Sequence, residues 1–197
     1  MTVVVVPFRE GKSRLSQARH VRRSLALAML GDVLAATVTI GETVVVTDDA
    51  EGATVAAEIG AAVVDDPGGG QGPAVAAGLS AEPALVVNAD LPCIVPEDLR
   101  ALLAATPAGG LALVEALDGT TNALSLAAPS VFAQLYGPGS AERFVEHARR
   151  LGREAVRVAI PNLADDVDTQ EDLERLQLRV GPRTQAAVDQ LEREVAL

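Results

Sequence analysis

Three features of the sequence predict an α/β fold with a mostly parallel, mixed sheet flanked by helices. Short apolar runs alternate with helix-period stretches along most of the 197 residues. Several of the runs, such as Val3-Val4-Val5-Val6 and Ala84-Leu85-Val86-Val87, are continuously apolar. That pattern suits strands buried on both faces. One pair of runs instead flanks the turn-rich Asp118-Gly119-Thr120-Thr121-Asn122, which predicts a hairpin and hence an antiparallel strand.

In order, strands are expected over 2–6, 43–47, 62–64, 84–88, 111–115, 123–127 and 156–160. Helices are expected over about 14–36, 50–60, 73–80, 96–105, 129–135, 140–151 and 169–178. Ser140 is a natural N-cap for the sixth helix, and Asp168 or Thr169 for the seventh, where Glu171 and Asp172 suit the first turn. The stretch after Pro182 has Ala186, Ala187, Leu191 and Val195 at helical spacing. The expected organisation is a main domain over 1–180 and a helix over 181–197, packed on that domain or on a partner subunit as a homodimer.

Composition narrows the function classes. Hydrophobic residues make up 49% and aromatic residues 2%, so the core is aliphatic. No apolar run reaches the ~20 residues that span a bilayer, and the first residues read as a strand, not as a signal peptide. The single cysteine, Cys93, excludes an internal disulfide and a cysteine-built metal site, so a cytoplasmic setting is the default. Cys93 reads as a small buried hydrophobe, and His20 and His147 as surface residues. A net charge of −11 argues against a general nucleic-acid binder. Six of the 16 basic residues (Arg9, Lys12, Arg14, Arg19, Arg22 and Arg23) nevertheless fall within the first 23 positions. One basic pole on an acidic chain suggests a local site for a small polyanion.

The most informative segment is Asn88-Ala89-Asp90-Leu91-Pro92. Pro92 ends the strand, so Asp90 sits just past the carboxyl end of a central strand, the edge where open α/β sheets bind ligands. A carboxylate there suits a hard cation such as Mg²⁺, which takes one or two protein carboxylates and fills its other positions with phosphate and water. Asp165-Asp166-Val167-Asp168 supplies a second carboxylate, from Asp166 or Asp168. The loop after the first strand holds Pro7, Arg9, Gly11, Lys12 and Arg14 and suits phosphate, although its spacing is not that of a Walker loop. The glycine-rich Gly68-Gly69-Gly70-Gln71-Gly72 allows close approach of a ligand, with Gln71 facing a base edge. Two further loops, Thr121-Asn122 and Gly137-Pro138-Gly139-Ser140, combine glycine with hydroxyl or amide groups that suit a phosphate or carboxylate.

Taken in order, the basic Lys12-Ser13-Arg14-Leu15 loop, Asn-Ala-Asp-Leu-Pro, Asp-Gly-Thr-Thr-Asn-Ala-Leu, Tyr-Gly-Pro-Gly-Ser and Asp-Asp-Val-Asp-Thr-x-Glu-Asp-Leu resemble a known family. It is the 2-phospho-L-lactate or phosphoenolpyruvate guanylyltransferases of deazaflavin coenzyme F-420 biosynthesis, within the nucleotidyltransferase superfamily. The resemblance covers residues 2 to about 176. It implies a Rossmann-like, glycosyltransferase-A-like nucleotidyltransferase fold and transfer of GMP from GTP to a small phosphorylated three-carbon acid, with Mg²⁺ as cofactor. It places Lys12, Arg14 and Asp90 in catalysis, and Pro7, Arg9, Gly11, Lys12, Gly70, Gln71 and Gly72 against the nucleotide. Thr121, Asn122, Gly137, Gly139 and Ser140 would take the acceptor, and Asp90, Asp166 and Asp168 the metal. The sequence departs from the family where Arg9 replaces a lysine, where Gly70-Gln71-Gly72-Pro73-Ala74 replaces a Gly-Leu-Asn-x-Ala segment, and where Phe144 replaces a histidine. A molybdenum-cofactor nucleotidyltransferase or a non-catalytic nucleotide-binding relative are the alternatives.

Overall fold

A computed structural model describes residues 2–9, 19–80 and 83–195. Among them, seven strands form one sheet in the order β3-β2-β1-β4-β6-β5-β7. The strands are β1 (Val3–Pro7), β2 (Glu42–Val46), β3 (Ala62–Val64), β4 (Ala84–Val87), β5 (Leu111–Glu115), β6 (Thr121–Leu126) and β7 (Ala155–Arg157). Only β6 runs against the others, pairing antiparallel with both β4 and β5. The hairpin expected around Asp118 is its cause. Asp118 accepts from the Thr120 amide at 2.9 Å, and the Gly119 amide donates to Ala116 at 3.0 Å.

Alternation along β1 divides the core. Val4 and Val6 pack on one face with Leu30, Leu34, Leu85 and Leu99, and Val3 and Val5 pack on the other with Val75, Leu113 and Phe144. Both faces are dry, which is why these strands read as unbroken apolar runs. Truncating one of the fully buried leucines, such as Leu85, to Ala would cost about 2–5 kcal/mol.

Helices α1 (Arg19–Thr37), α2 (Ala50–Ile59), α3 (Gln71–Gly78), α4 (Pro96–Ala104), α5 (Ser140–Arg150), α6 (Pro161–Ala164), α7 (Gln170–Leu176) and α8 (Pro182–Val195) cover the sheet or one another. Their ends follow local chemistry. Asp49 caps α2 by accepting from the Gly52 amide at 2.7 Å. Thr169, one of the two expected caps, opens α7 through a reciprocal box with Asp172. Gly78 lets α3 lie against the sheet, since a Cβ there would stand 2.6 Å from Val5 and 3.0 Å from Val46.

Some expectations differ from the structure. The helix expected over 129–135 is a single 3-10 turn, Pro129–Val131. Arg143 of α5 then holds the irregular segment by donating from Nη2 to the carbonyls of Leu135 at 2.7 Å and Tyr136 at 3.1 Å. Ser140 is the first residue of α5 and Gly139 is its cap, so the expected side-chain cap is absent. Helix α6 was not expected. The predicted start of α1 at residue 14 lies outside the described residues.

Helix α8 lies on α1, where Val188, Ala187 and Leu191 join Val21, Leu25 and Met29. The buried Asp32 of α1 accepts from the amides of Arg183 at 3.1 Å and Thr184 at 2.8 Å. One helix thus caps the first turn of another with a side chain 151 positions earlier in the chain.

Candidate active site

The antiparallel course of β6 shapes the site. Its first residues, Thr121 and Asn122, lie beside the last residues of β4, because Val87 pairs with Ala123 and the Asn88 amide donates to the Asn122 carbonyl at 3.0 Å. Asp90 follows two residues later. Its carbonyl accepts from the Val167 amide at 3.1 Å, which docks the 165–168 segment onto the end of β4. Val167 is buried in the apolar cluster with Cys93 and Leu173. The carboxylates on either side of it, Asp166 and Asp168, join Asp90, and one oxygen of each of the three lies within 4.8 Å of the others.

This cluster is electrostatically costly without a cation. Asp90 is pushed up to about 7, first by burial, then by the negative charge of Asp166, with Asp168 adding to it. Its Oδ1 is enclosed and has no hydrogen-bond partner among the described residues. Asp166 is also pushed up, chiefly by burial, while the hydrogen bond from Asn122 opposes the shift. Three acceptor-only groups, one with an orphaned oxygen, fit a hard divalent cation and oxygen coordination. Asp90, Asp166 and Asp168 are therefore the residues that could hold a metal.

A chain of side-chain amides runs into the same cluster. Gln71 Nε2 donates to Asn88 Oδ1 at 2.6 Å, and Asn88 Nδ2 donates to Asn122 Oδ1 at 3.2 Å. Asn122 Nδ2 donates to Asp166 Oδ1 and to the Ala164 carbonyl, both at 3.3 Å. Gln71, expected to face a base edge, turns its amino group to Asn88. Asn122, expected against the acceptor, is 2% exposed and holds Asp166. Thr121 and Ser140 are buried as well. Ser140 Oγ donates to Thr121 Oγ1 at 3.0 Å, fastening the hairpin to α5. Gly137 and Gly139 lie in the turn that leads into α5.

Arg9, expected against the nucleotide, is held by Asp66. Its Nη2 donates to Asp66 Oδ1 at 2.5 Å, and its Nε donates to Oδ2. The guanidinium holds the Asp66 carboxyl below the usual carboxylate range. The same carboxylate accepts from the Gly68 amide at 2.8 Å and so shapes the start of the glycine-rich loop. Three successive residues there, Gly68, Gly69 and Gly70, have positive φ, which their lack of Cβ permits. Gly72 backs onto Gln134, whose Cβ would stand 2.6 Å from any added Cβ. Pro7 ends β1 at the same sheet edge. Gly11, Lys12 and Arg14 lie outside the described residues. Cys93 is buried, as expected, and burial pushes its thiol up. His147, read as a surface residue, is half-buried, with its Nε2 enclosed. Phe144 is fully buried against the ring of Tyr136, with centroids 5.3 Å apart.

Sequence comparison identifies the family. The model of the family described as "Guanylyl transferase CofC like" matches residues 1–189. The chain belongs to this family. A phosphoenolpyruvate guanylyltransferase of Streptomyces scabiei is 39% identical to this CofC-like chain, over 97% of it and 96% of the relative. A protein of the same name from Thermomonospora curvata is 35% identical, over 94% of the chain and 86% of the relative. These names do not favour the molybdenum-cofactor alternative. Among solved structures, a candidate nucleotide-diphospho-sugar transferase of Desulfovibrio desulfuricans G20 superposes with a TM-score of 0.76 at 16% identity, over 98% of this chain and 95% of that one. A nucleotidyl transferase of Methanothermobacter gives 0.65 at 17% identity, over 91% and 96%. At that identity the likeness concerns the fold, which is the nucleotidyltransferase type expected.

Proposed function

We propose that this CofC-like chain transfers GMP from GTP to the phosphate of phosphoenolpyruvate, releasing pyrophosphate, as a step in deazaflavin coenzyme biosynthesis. The observation that carries the reading is the carboxylate cluster at the end of β4, within a chain 39% identical to a phosphoenolpyruvate guanylyltransferase. A phosphate oxygen of the acceptor attacks the α-phosphorus of GTP, and the bond to the pyrophosphate oxygen breaks. The attacking phosphate is already ionised near neutral pH, so no general base is needed. This agrees with a site in which the described residues place no histidine beside Asp90.

Asp90, with Asp166, Asp168 or both, would hold Mg²⁺. When bound, the metal supplies positive charge where the phosphates gather. Alignment is left to the chain. The Asp66-fixed glycine turn lies against the nucleotide, with Gly70, Gln71 and Gly72 along it. Lys12 and Arg14 neutralise the triphosphate. The acceptor lies beside the hairpin, near the Thr121–Ser140 hydroxyl pair and the Gly137–Gly139 turn. The cytoplasm is the proposed setting.

The test is pyrophosphate release with each of four nucleoside triphosphates against phosphoenolpyruvate, 2-phospho-L-lactate and phosphoglycerate. The expected pair is GTP with phosphoenolpyruvate. Equal turnover with CTP, or no pyrophosphate with any pair at saturating Mg²⁺, would overturn the assignment.

A further inference from the structure

The chain Gln71→Asn88→Asn122→Asp166 has a direction. Each of its two asparagines accepts through its oxygen and donates through its nitrogen, and the last acceptor is a carboxylate. An ionised carboxylate can only accept, so Asp166 fixes the orientation of Asn122. Asn122 then fixes Asn88, and Asn88 fixes Gln71. The polarity also holds in reverse: whatever Gln71 presents decides how Asn88 and Asn122 turn. Asn88 has a second anchor in the Thr121 carbonyl at 3.4 Å, and Asn122 one in the Ala164 carbonyl. Both favour the observed orientation.

Gln71 opens α3 at the end of the glycine-rich loop. Asp166 belongs to the carboxylate cluster on another segment, 95 positions later. We propose that Gln71, Asn88 and Asn122 are positioning residues which, through this polarised relay, keep Asp166 in the orientation that binds the metal and so couple the glycine-rich loop to the metal site. The inference rests on the cluster being a metal site, as in the proposed function. Groups that orient a metal ligand through one hydrogen bond commonly change metal affinity by about 10–100-fold when removed. A smaller effect is expected from the far end of the relay.

Gln71→Glu separates the relay from plain electrostatics. The substitution keeps the shape, removes the donor and adds a negative charge. Acting through space, the charge would tighten cation binding. Acting through the relay, it faces the Asn88 oxygen and turns the Asn88 amide over. Asn122 must then follow and bring its oxygen to Asp166, or lose its bond to Asn88. Either way cation binding weakens.

The assay is Mn²⁺ binding to the nucleotide-free protein, followed by electron paramagnetic resonance of the free ion, with thermal unfolding as the check on folding. Asn122→Leu is expected to weaken Mn²⁺ binding by about tenfold, and Asn88→Leu and Gln71→Glu by about threefold or more. Excess Mn²⁺ is expected to fill the site in Gln71→Glu to the same stoichiometry as in the unaltered protein, which a misfolded site would not allow. Asp90→Asn is the reference. If it binds Mn²⁺ as tightly as the unaltered protein, the metal-site reading has failed and the relay with it. If it loses binding while Gln71→Glu matches or exceeds the unaltered protein, the relay is refuted and the metal site stands.

Discussion

Asp90→Asn is expected to make the metal-free protein more stable while it removes activity. In the folded state Asp90 is pushed up to about 7, from an ordinary carboxylate value near 3.8, because its carboxyl group is desolvated beside Asp166 and Asp168. The unfolded chain therefore gives up this proton more readily than the folded one. Between those two values the folded state binds more protons, so stability falls as pH rises through that window. Most of the loss is complete once pH passes about 7. Integrated between pH 5 and pH 8, the difference amounts to about 2–3 kcal/mol. Asparagine has the same shape and no charge, so its advantage over aspartate should grow by that amount across the same range. For a chain of this length it corresponds to roughly 5–10 °C in unfolding temperature. The assay is differential scanning calorimetry with a chelator at pH 5 and pH 8, then at pH 8 with Mg²⁺. Added metal should reverse the order, since it stabilises only the protein that binds it. Turnover should fall by about 10²–10⁴. An Asn variant no more stable at pH 8 than at pH 5, relative to the unaltered protein, would refute the account of Asp90 as an enclosed charge awaiting a cation.

Asp66→Asn should free Arg9 and the Gly68 turn, raising the KM for GTP several-fold with little change in the acceptor KM; steady-state kinetics with each substrate varied would check it. Lys12→Ala should raise the GTP KM or lower kcat while circular dichroism stays unchanged, and unaltered kinetics would make its loop a plain basic surface. Gly78→Ala should destabilise the protein by about 1–3 kcal/mol in urea unfolding, because the added methyl has no room against Val5 and Val46. Ser140→Ala strands the Thr121 hydroxyl in a buried place, and should weaken acceptor use more than GTP binding in the pyrophosphate assay.

The sheet was legible because its strands are buried on both faces. Val3–Val6 and Ala84–Val87 leave no polar residue to blur the pattern, and the Asp118–Asn122 turn marked the one reversed strand. The carboxylate cluster was legible too, since Asp90 follows a strand and Asp166 and Asp168 straddle a single apolar residue. The 129–135 segment was not. Arg143 decides its path from across the turn, and helical spacing does not reveal such a contact. The pairing of Arg9 was not legible for a similar reason: its partner Asp66 lies 57 positions away. A basic residue after a first strand looks the same in sequence whether it meets a phosphate or a carboxylate. The pairing of the Thr121 and Ser140 hydroxyls was not legible either, since 19 positions separate them. Asn88 carried a signal that could have been followed, as a polar amide ending an otherwise apolar strand.

Asp32 also bears on how the chain is made. Synthesis runs from the amino end, so α1 and the central strands are complete well before the amides of Arg183 and Thr184 leave the ribosome. Until then, the carboxylate can remain hydrated only if that side of α1 stays open to water. The nascent chain therefore has a reason not to close this face early, against the wrong surface or against another molecule. Closure waits for α8, which brings apolar cover and two backbone donors in one segment. The buried side chain of Asp32 thus waits for donors that follow 151 positions later, and α8 covers α1 as it supplies them.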